Sequence, residues 1–376
     1  MGSVCSSVGK AGAKGAHSVR RAQVLTAFGW TEVAESYVPG KPSALRAALG
    51  LAGKATAAAR GAAVRCGALC GSFAEASDTL RRLAGLDVRV SKLRGMTLAF
   101  GKECLEAQDA PGPDRREYKK RPRLAERAVD RTLFAMLDGA AANCCKADTR
   151  DAKGKNGEAG TRQVRVGVFG EYDWLDAKGR PASHADSFSY LVSGEGIAEV
   201  TALAKKHGLA RGSGAARRMQ CVADGEEALE KALRDAFPHA VFTNDFYHAC
   251  EHAHALCLAL LPEPAAAEKE YRRLKGLLYR IGADSAVRRV RRMHAGALAA
   301  SETAAKELAY LEKRAGNMRY GWLRKNGYFI GSGHVEAAAR VLVVRRCKQA
   351  GMHWRLHNAV CVCAIHAHYR SRPKAA

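Results

Sequence analysis

Three acidic residues stand where a sheet and a helix could bring them together. Asp138 and Asp224 each end an apolar run and precede a glycine, in LFAMLDG and QCVADG, and Glu336 follows the glycine turn IGSG. Carboxylates at strand ends and at a helix start can converge on one edge of a sheet. There they could hold one or two Mg2+ ions, which require oxygen ligands. Two such ions about 3.5–4 Å apart would catalyse phosphodiester cleavage.

Each of these acids also has a structural interpretation. Asp-Gly after a strand is common in tight turns, and a glutamate at a helix start compensates the helix dipole. The order of the acids along the chain and the surrounding positive charge favour the catalytic interpretation of the three as a set.

A second group of potential ligands lies in TNDFYHACEHAHALC, residues 243–257. On a helix these side chains divide between two opposite faces: Asp245, His248 and His252 on one, Cys250, His254 and Cys257 on the other. One ion cannot collect both sets. A zinc site on the second face would need a fourth ligand from elsewhere, and the alternative is a stripe of core thiols. Asp245 and His248 are either part of an active site or a structural hydrogen-bonded pair.

Charge points to a polyanionic partner. The 376 residues carry 61 basic and 37 acidic side chains, a net charge of +24. Nucleic acid is the commonest partner of such a chain, with a phospholipid surface as the rival. The sequence contains no run of about 18 uncharged apolar residues, so it predicts no membrane span. The start MGSVCSS fits a loose acylation pattern. The scattered cysteines lack paired CxxC spacing, which indicates reduced thiols in a cytoplasm.

Basic and aromatic residues follow the third acid closely. The sequence predicts a DNA-binding surface from five of them: Arg340, Arg345, Arg346, Lys348 and Trp354. Cations beside a metal-carboxylate centre can hold phosphates, and an indole can stack on an unpaired base. The indole can equally be a core anchor. The run RRVRRMH, residues 288–294, is either a phosphate-binding face or a solvated one.

The apolar pattern predicts a mixed α/β chain. Residues 72–105 suggest short helices around a GLDV turn, either a helix-turn-helix or an ordinary helical hairpin. From RTLFAMLDG (131–139) the order is three strands, helix, strand, helix, strand, with His207-Gly208 as the stop of the first helix. Residues from about 247 to 320 look helical. After the break NGYFIGSGH, a last helix begins at VEAAARVLVV.

From about residue 125 to 356 the sequence resembles the DDE transposases of bacterial insertion sequences, ISKra group, which are related to Mutator-type transposases. The matching stretches, in order, are LDGAAANCCKADTRDAKGKNGEAGTRQVRVGVF, VADGEEAL followed by AFPHAVFTNDFYHACEH, and LEKRAGNMRYGWLRKNGYFIGSGHVEAAARVLVVRRCKQAGMHW. The strongest piece is IGSGxVEA followed by RxKQxGMxW.

The resemblance implies a ribonuclease-H-like core with an all-helical insertion before the last acid. It implies Asp138, Asp224 and Glu336 as the catalytic and metal-binding carboxylates, with Mg2+ or Mn2+ as cofactor, two ions in all. Asp245 and His248 match the Asp/Cys-x2-His signature and become secondary active-site residues. The implied activity is hydrolysis at transposon ends and strand transfer into target DNA, by a cytoplasmic, nucleoid-associated homo-oligomer.

The predicted organisation has five parts: a basic, partly disordered Ala/Gly-rich leader (1–64), a helical, possibly helix-turn-helix region with a charged linker (65–124), the first part of the core (125–260), a helical insertion (261–325), and the last part of the core with a basic tail (326–376). Two rival functions stay open: a transposase-derived, non-catalytic DNA-binding protein, and a structural RNA-binding protein that uses the charge alone.

Overall fold

The computed structural model describes residues 18–37, 43–51, 54–109, 131–151, 153–154, 157–158, 160–173 and 180–371. The chain divides into two compact units, one within residues 1–105 and 361–366, the other within 106–360 and 367–376. The acylation pattern and most of the predicted linker lie outside the described residues. No helix in the described ranges is long and apolar enough to cross a membrane.

The described part of the N-terminal unit starts with a hairpin, within the range for which the sequence predicted a leader. Its elements are β1 (Ser18–Thr26), β2 (Gly29–Tyr37), α1 (Ala44–Ala48), α2 (Ala57–Leu69), α3 (Phe73–Ala84) and α4 (Val90–Asp109). Leu25 of β1 is buried in one core with Ala59 of α2 and Leu80 of α3. The predicted boundary between residues 64 and 65 therefore does not hold, because it falls inside α2 and would split this core.

The short helices predicted for residues 72–105 are present as α3 and α4. Ser72 caps α3 by accepting from the Glu75 N–H, and Gly85 ends it in the left-handed conformation at φ +63°, a conformation that favours glycine. Leu80 and Leu86 are buried, whereas Leu83 is 83% exposed. The buried side of α3 therefore does not include Leu83.

The second unit contains a five-stranded mixed sheet. In chain order its elements up to residue 244 are β3 (Arg131–Asn143), α5 (Lys146–Thr149), β4 (Lys153–Gly154), β5 (Gly157–Glu158), β6 (Thr161–Asp173), β7 (Ala182–Ser193), α6 (Ile197–Ala210), β8 (Met219–Ala223), α7 (Glu227–Ala236) and β9 (Val241–Asn244). The sheet order is β7-β6-β3-β8-β9. β3, β6 and β7 are antiparallel, whereas β8 and β9 run parallel to β3. The predicted order of three strands, helix, strand, helix, strand is confirmed for the five strands of the sheet, whereas α5, β4 and β5 between β3 and β6 were not predicted.

Two local predictions in this unit were wrong. Asp138-Gly139 is not a turn: β3 continues to Asn143, and Asp138 pairs with Val166 of β6. α6 does not stop at His207-Gly208 but runs on to Ala210. Gly208 serves packing instead, because a Cβ there would lie 2.3 Å from the ring of Phe237.

A continuous helical segment follows the sheet strands, as predicted. It comprises α8 (Phe246–Leu260), α9 (Pro264–Arg280), α10 (Ala283–Met293), α11 (Ala295–Ala300), α12 (Glu302–Lys313) and α13 (Tyr320–Lys325). Leu256, Leu274 and Leu308, from three of these helices, are buried together in a core of the segment's own. The arginines lie mainly on the outside of this core.

The C-terminal region differs from the single last helix and basic tail of the prediction. α14 (Gly333–Ala339) continues through a π-helical turn (Arg340–Val344) into α15 (Arg345–Cys347), and α16 (Leu356–Arg370) follows. α16 is rich in buried residues, among them Cys361 and Ile365. Residues 356–370 are therefore a core helix, because alanine, valine and cysteine dominate the sequence between the few polar side chains.

We expect Gly321→Ala in α13 to lower the free energy of unfolding by about 1–3 kcal/mol. A Cβ at this position would lie 2.1 Å from the carbonyl oxygen of Arg280, so the backbones of α9 and α13 would have to separate. Urea denaturation measures the change. Gly296→Ala in α11 is the matched control, because nothing lies within 4 Å of its Cβ and alanine is the better helix former. Equal stability of the two variants would contradict this close packing.

Candidate functional site

The parallel register of β3 and β8 brings two of the predicted acids side by side. Met136 pairs with Val222, and the same offset two residues further places Asp138 beside Asp224. Neighbouring strands lie about 4.8 Å apart. Side chains alternate across a strand, so the face of Leu137 belongs to the sheet core and both acids belong to the other face.

The turn after β8 fixes the second acid. Gly225 adopts φ +108°, and the N–H of Glu226 donates to Oδ1 of Asp224 at 3.0 Å. Here the Asp-Gly interpretation as a tight turn is confirmed. Arg165 of β6 holds Glu226 through a 2.7 Å ion pair, which extends the turn's anchorage to the neighbouring antiparallel strand.

The third acid reaches the same face of the sheet because the loop before it is pinned down. Gln220 of β8 is fully buried and bonds both backbone polar groups of Phe329: its Oε1 accepts from the N–H at 3.0 Å, and its Nε2 donates to the carbonyl at 2.7 Å. His334 in the first turn of α14 stacks on Phe134 of β3, with ring centroids 5.4 Å apart. α14 therefore starts over β3, and Glu336 lies within its first turn.

Asp245 links the helical segment to this loop. It is buried and caps α8, since its Oδ1 accepts from the N–H of His248 at 2.7 Å. Its Oδ2 accepts from the N–H of Ser332 at 2.6 Å and lies 3.0 Å from the Ser332 hydroxyl oxygen. The same hydroxyl lies 2.5 Å from Oε1 of Glu336. Asp245 therefore has the structural hydrogen bond to His248 that one interpretation expected. It also lies beside the third acid, as the active-site interpretation expected.

One cavity of about 220 Å³ collects all five predicted catalytic and secondary residues. It is lined by Leu137, Asp138, Asp224, Asp245, Tyr247, His248, Glu251, Ser332, Val335 and Glu336. Five of these ten residues are acidic. We call this cavity the acidic cleft.

Electrostatics in the acidic cleft disfavour its own negative charge. Burial, the largest cause, raises the pKa of Asp138 from 3.8 to about 6, and the nearby carboxylates of Asp224 and Glu336 add to the rise. The Gly139 N–H, 2.6 Å from Oδ1 of Asp138, acts in the opposite direction. A cation in the cleft would relieve this repulsion.

The donor set of the cleft fits a hard divalent cation. Asp138, Asp224 and Glu336 offer only oxygen ligands, which Mg2+ and Mn2+ accept. Within the described ranges, no three acidic, histidine or cysteine side chains are already spaced to hold one ion. Binding would therefore require the carboxylates to draw together from their present rotamers.

His248 and His252 share one helix face, as predicted. Their rings are 5.0 Å apart, and Nδ1 of His248 lies 3.1 Å from Glu251. His248 keeps 40% of its side chain exposed at the cleft wall. On the opposite face of α8, Cys250 and Cys257 are buried in the helical core, as the interpretation of this face as a stripe of core thiols expected. Burial raises the pKa of both thiols.

Two residues of the helical segment, which the sequence did not predict, hold the backbone of the Asp224 turn. Tyr310 of α12 donates its hydroxyl to the carbonyl of Asp224 at 3.2 Å, and Arg314 donates to the carbonyl of Gly225 at 2.9 Å. The Tyr310 ring stacks on His252 at 3.5 Å and has the Arg314 guanidinium 4.2 Å from its centre. Ring stacking and a cation–π contact therefore hold the Tyr310 side chain in place.

The five predicted DNA-binding residues do not form one surface. Arg340, Arg345 and Lys348 are exposed, and Arg340 lies one turn after Glu336. Arg346 is buried, with its guanidinium 5.0 Å from the centre of the Trp354 ring. Arg346 and Trp354 therefore act as packing groups here, which agrees with the core-anchor alternative for the indole.

Sequence reasoning missed the residues that hold the acids in place. Gln220, Ser332, Tyr310 and Arg314 carry no motif that marks them as functional. A polar residue in the otherwise apolar run MQCVA was the one available signal for Gln220, because a buried amide must find hydrogen-bond partners.

No family model matches the chain, and no curated protein matches it in sequence.

We expect Asp138→Asn to raise stability in EDTA at pH 7.5 by about 1–2 kcal/mol, discounted for the partial exposure of this side chain. The pKa of folded Asp138 lies above its ordinary value, so ionisation opposes folding. The stability that the protonated Asp138 carboxyl gives the folded protein is lost as pH rises from 3.8 through about 6. Thermal denaturation should show a gain of a few degrees, and little gain at pH 4. Asp186→Asn, at an exposed position of β7, is the control, and equal gains in both variants would contradict the assignment.

Tyr310→Phe should loosen the Asp224 turn while leaving the ring stacking intact. The lost hydrogen bond is worth about 0.5–1.5 kcal/mol, so the fold persists but amide hydrogen exchange in residues 219–230 becomes faster. Tyr271→Phe, in the same helical segment, serves as the control. Unchanged exchange in Tyr310→Phe would mean that the hydroxyl does not restrain the turn.

Proposed function

We propose that the protein is a DDE-type DNA transposase that hydrolyses phosphodiester bonds at transposon ends and transfers the freed strand into target DNA. The observation that carries the proposal is the meeting of Asp138, Asp224 and Glu336 in one cleft. The three come from a strand, a strand end and a helix start, far apart along the chain. The interval between Asp224 and Glu336 leaves room for the helical insertion that the resemblance implies.

The architecture supports the proposal. We interpret the sheet order β7-β6-β3-β8-β9, with three antiparallel strands and two parallel ones, as a ribonuclease-H-like core. We interpret the helical segment between Asp224 and Glu336 as the insertion expected before the last acid. The net charge of +24 suits a DNA substrate, and we expect the protein to act as a homo-oligomer on DNA in the cytoplasm.

The cleft residues divide the work in a defined way. Asp138, Asp224 and Glu336 would hold Mg2+, which when bound stabilises the negative charge that develops on the attacked phosphate. Ser332 orients Glu336, and the Glu226 N–H orients Asp224. His248, exposed at the cleft wall, can donate to a phosphate oxygen when protonated.

The proposed reaction has two steps, hydrolysis and strand transfer. In the first, water attacks phosphorus, the bond from phosphorus to the 3′ oxygen breaks, and that oxygen leaves as a 3′ hydroxyl. In the second, this hydroxyl attacks a phosphodiester of the target, a new bond to phosphorus forms, and a target 3′ hydroxyl is released. No nucleotide cofactor is consumed, because each bond broken is replaced by one of the same kind. Positioning and preorganised charge therefore supply the catalysis.

A transposase-derived DNA-binding protein without catalysis is the second candidate. It is favoured by the absence, within the described ranges, of three side chains already spaced to hold one ion. The two candidates share fold and charge and differ in whether divalent metal binds productively in the cleft.

We expect Mg2+-dependent or Mn2+-dependent nicking of DNA carrying the ends of the element, with activity falling at least 100-fold in Asp224→Asn and in Glu336→Gln. Nicking of supercoiled plasmid on gels measures it. Asp235→Asn on the outer side of α7 is the matched control, because its carboxylate is exposed and pairs with Lys231. Binding without nicking, or nicking that survives in Asp224→Asn, would favour the non-catalytic candidate or a contaminant.

A further inference from the structure

The basic residues of the helical segment are unevenly paired. Most of them lie next to acids: Arg272 pairs with Glu268, Arg289 with Glu270 and Arg291 with Glu312. Residues 271–283 and 314–335 together contain eight lysines and arginines and no acidic residue. Arg272, Arg273 and Arg314 among them pair with acids outside these stretches. Positive charge therefore accumulates where these two stretches meet, at the end of α9 and along α13.

Six exposed residues at this meeting point form what we call the α9–α13 face: Tyr279, Arg280, Arg319, Trp322, Arg324 and Lys325. α13 is only about 9 Å long at 1.5 Å per residue, so its members are close neighbours. The Gly321 N–H donates to the carbonyl of Ile281 at 3.2 Å, which joins α13 to the end of α9. Trp322 and Tyr279 are 41% and 40% exposed, although each is large enough to serve as a core anchor.

Aromatic stacking holds two guanidinium groups of the face in place. The guanidinium carbon of Arg324 lies 3.7 Å from the centre of the Tyr279 ring, and that of Arg319 lies 4.8 Å from the centre of the Trp322 ring. A stacked guanidinium keeps its N–H donors in its own plane, where they can reach phosphate oxygens. Stacking lowers the entropy lost when such a group binds a ligand. In the described part of the chain, no carboxylate lies within 4.0 Å of Arg280, Arg319, Arg324 or Lys325 in an ion pair.

The α9–α13 face adjoins the acidic cleft. Tyr320, the first residue of α13, donates its hydroxyl to the carbonyls of Asn244 and Asp245 at 3.1 and 3.2 Å. The ring of Tyr279 lies 5.6 Å from that of Phe246, which follows Asp245. From α13 the chain passes directly through the pinned loop to Glu336. Cleft and face thus share one scaffold, negative in the cleft and positive beside it.

We propose that the α9–α13 face binds the phosphate backbone of the duplex DNA that flanks the bond to be cleaved. This inference rests on the proposed function, which it extends by naming the surface that presents the substrate. A cleft lined by acids repels DNA, so substrate must be held by cations nearby. Arg319 and Arg324, preset by their aromatic partners, are the principal phosphate contacts, and Trp322 and Tyr279 position them.

The test compares two double variants that remove equal charge from the same helical segment. Arg319→Ala with Arg324→Ala alters the face, whereas Arg288→Ala with Arg292→Ala alters exposed arginines on α10. The probe is a fluorescent DNA duplex of about 30 base pairs, which is long enough to cover both the cleft and the face. Its affinity is measured by fluorescence anisotropy in EDTA across a series of salt concentrations. EDTA separates binding from cleavage.

We expect the face variant to bind about 10-fold to 100-fold more weakly at 0.1 M salt (about 10 Å Debye length), with the slope of log K against log salt reduced by about 2. The α10 variant should lose less than about threefold, the loss expected from net charge alone. Trp322→Leu, which keeps both charges, should weaken binding severalfold with an unchanged slope. Circular dichroism and thermal denaturation verify that each variant folds.

Equal losses in the two double variants would overturn the inference and leave the proposed function standing if nicking persists. Stronger binding to an RNA duplex than to DNA of the same sequence would also overturn it. Wild-type protein that binds no DNA would overturn both the inference and the proposed function.

Discussion

The parallel register of β3 and β8 is the constraint on which the candidate site depends. It places Asp138 beside Asp224, although a pair of partly buried carboxylates is unfavourable. The sheet can impose this arrangement because the same alternation buries Leu133, Leu137 and Cys221 on its other face. A slip of one residue would move that apolar set toward the cleft. Core packing therefore enforces a charge arrangement that the acids would not adopt alone.

The third acid depends on a different kind of constraint, made of hydrogen bonds. Gln220 binds both backbone groups of Phe329, and the Asp245 carboxylate accepts from the Ser332 N–H. These contacts fix a loop without regular structure onto the end of the sheet. Asp245 also caps α8, so one carboxylate joins the helical segment, the loop and the neighbourhood of Glu336. Removing it would disturb all three at once, because a buried polar network is strongest when every member is satisfied.

Sequence reasoning succeeded where a periodic pattern determines the outcome. The predicted order of three strands, helix, strand, helix, strand matches the strands of the sheet, and the helical range predicted from about 247 to 320 matches the helical segment. It failed where tertiary contacts decide: Asp138-Gly139 reads as a turn, yet the partner strand carries it on as ladder. The convergence of the three acids could be anticipated from strand order, whereas the clamp by Tyr310 and Arg314 could not. Those two residues act through backbone carbonyls, which leave no trace in side-chain chemistry.

The three acids differ in how firmly the backbone holds them. Asp138 lies within β3 and is bordered by β6 along its whole length, so its main chain has almost no freedom. Asp224 belongs to a turn and Glu336 to a short helix that runs into a π-helical turn, and hydrogen bonds rather than strand pairing hold both in place. Strand pairing therefore fixes one carboxylate of the cleft, and hydrogen bonds fix the other two. Under the proposed function, a rearrangement of those hydrogen bonds would let Asp224 and Glu336 follow a phosphate during the reaction while Asp138 keeps its alignment.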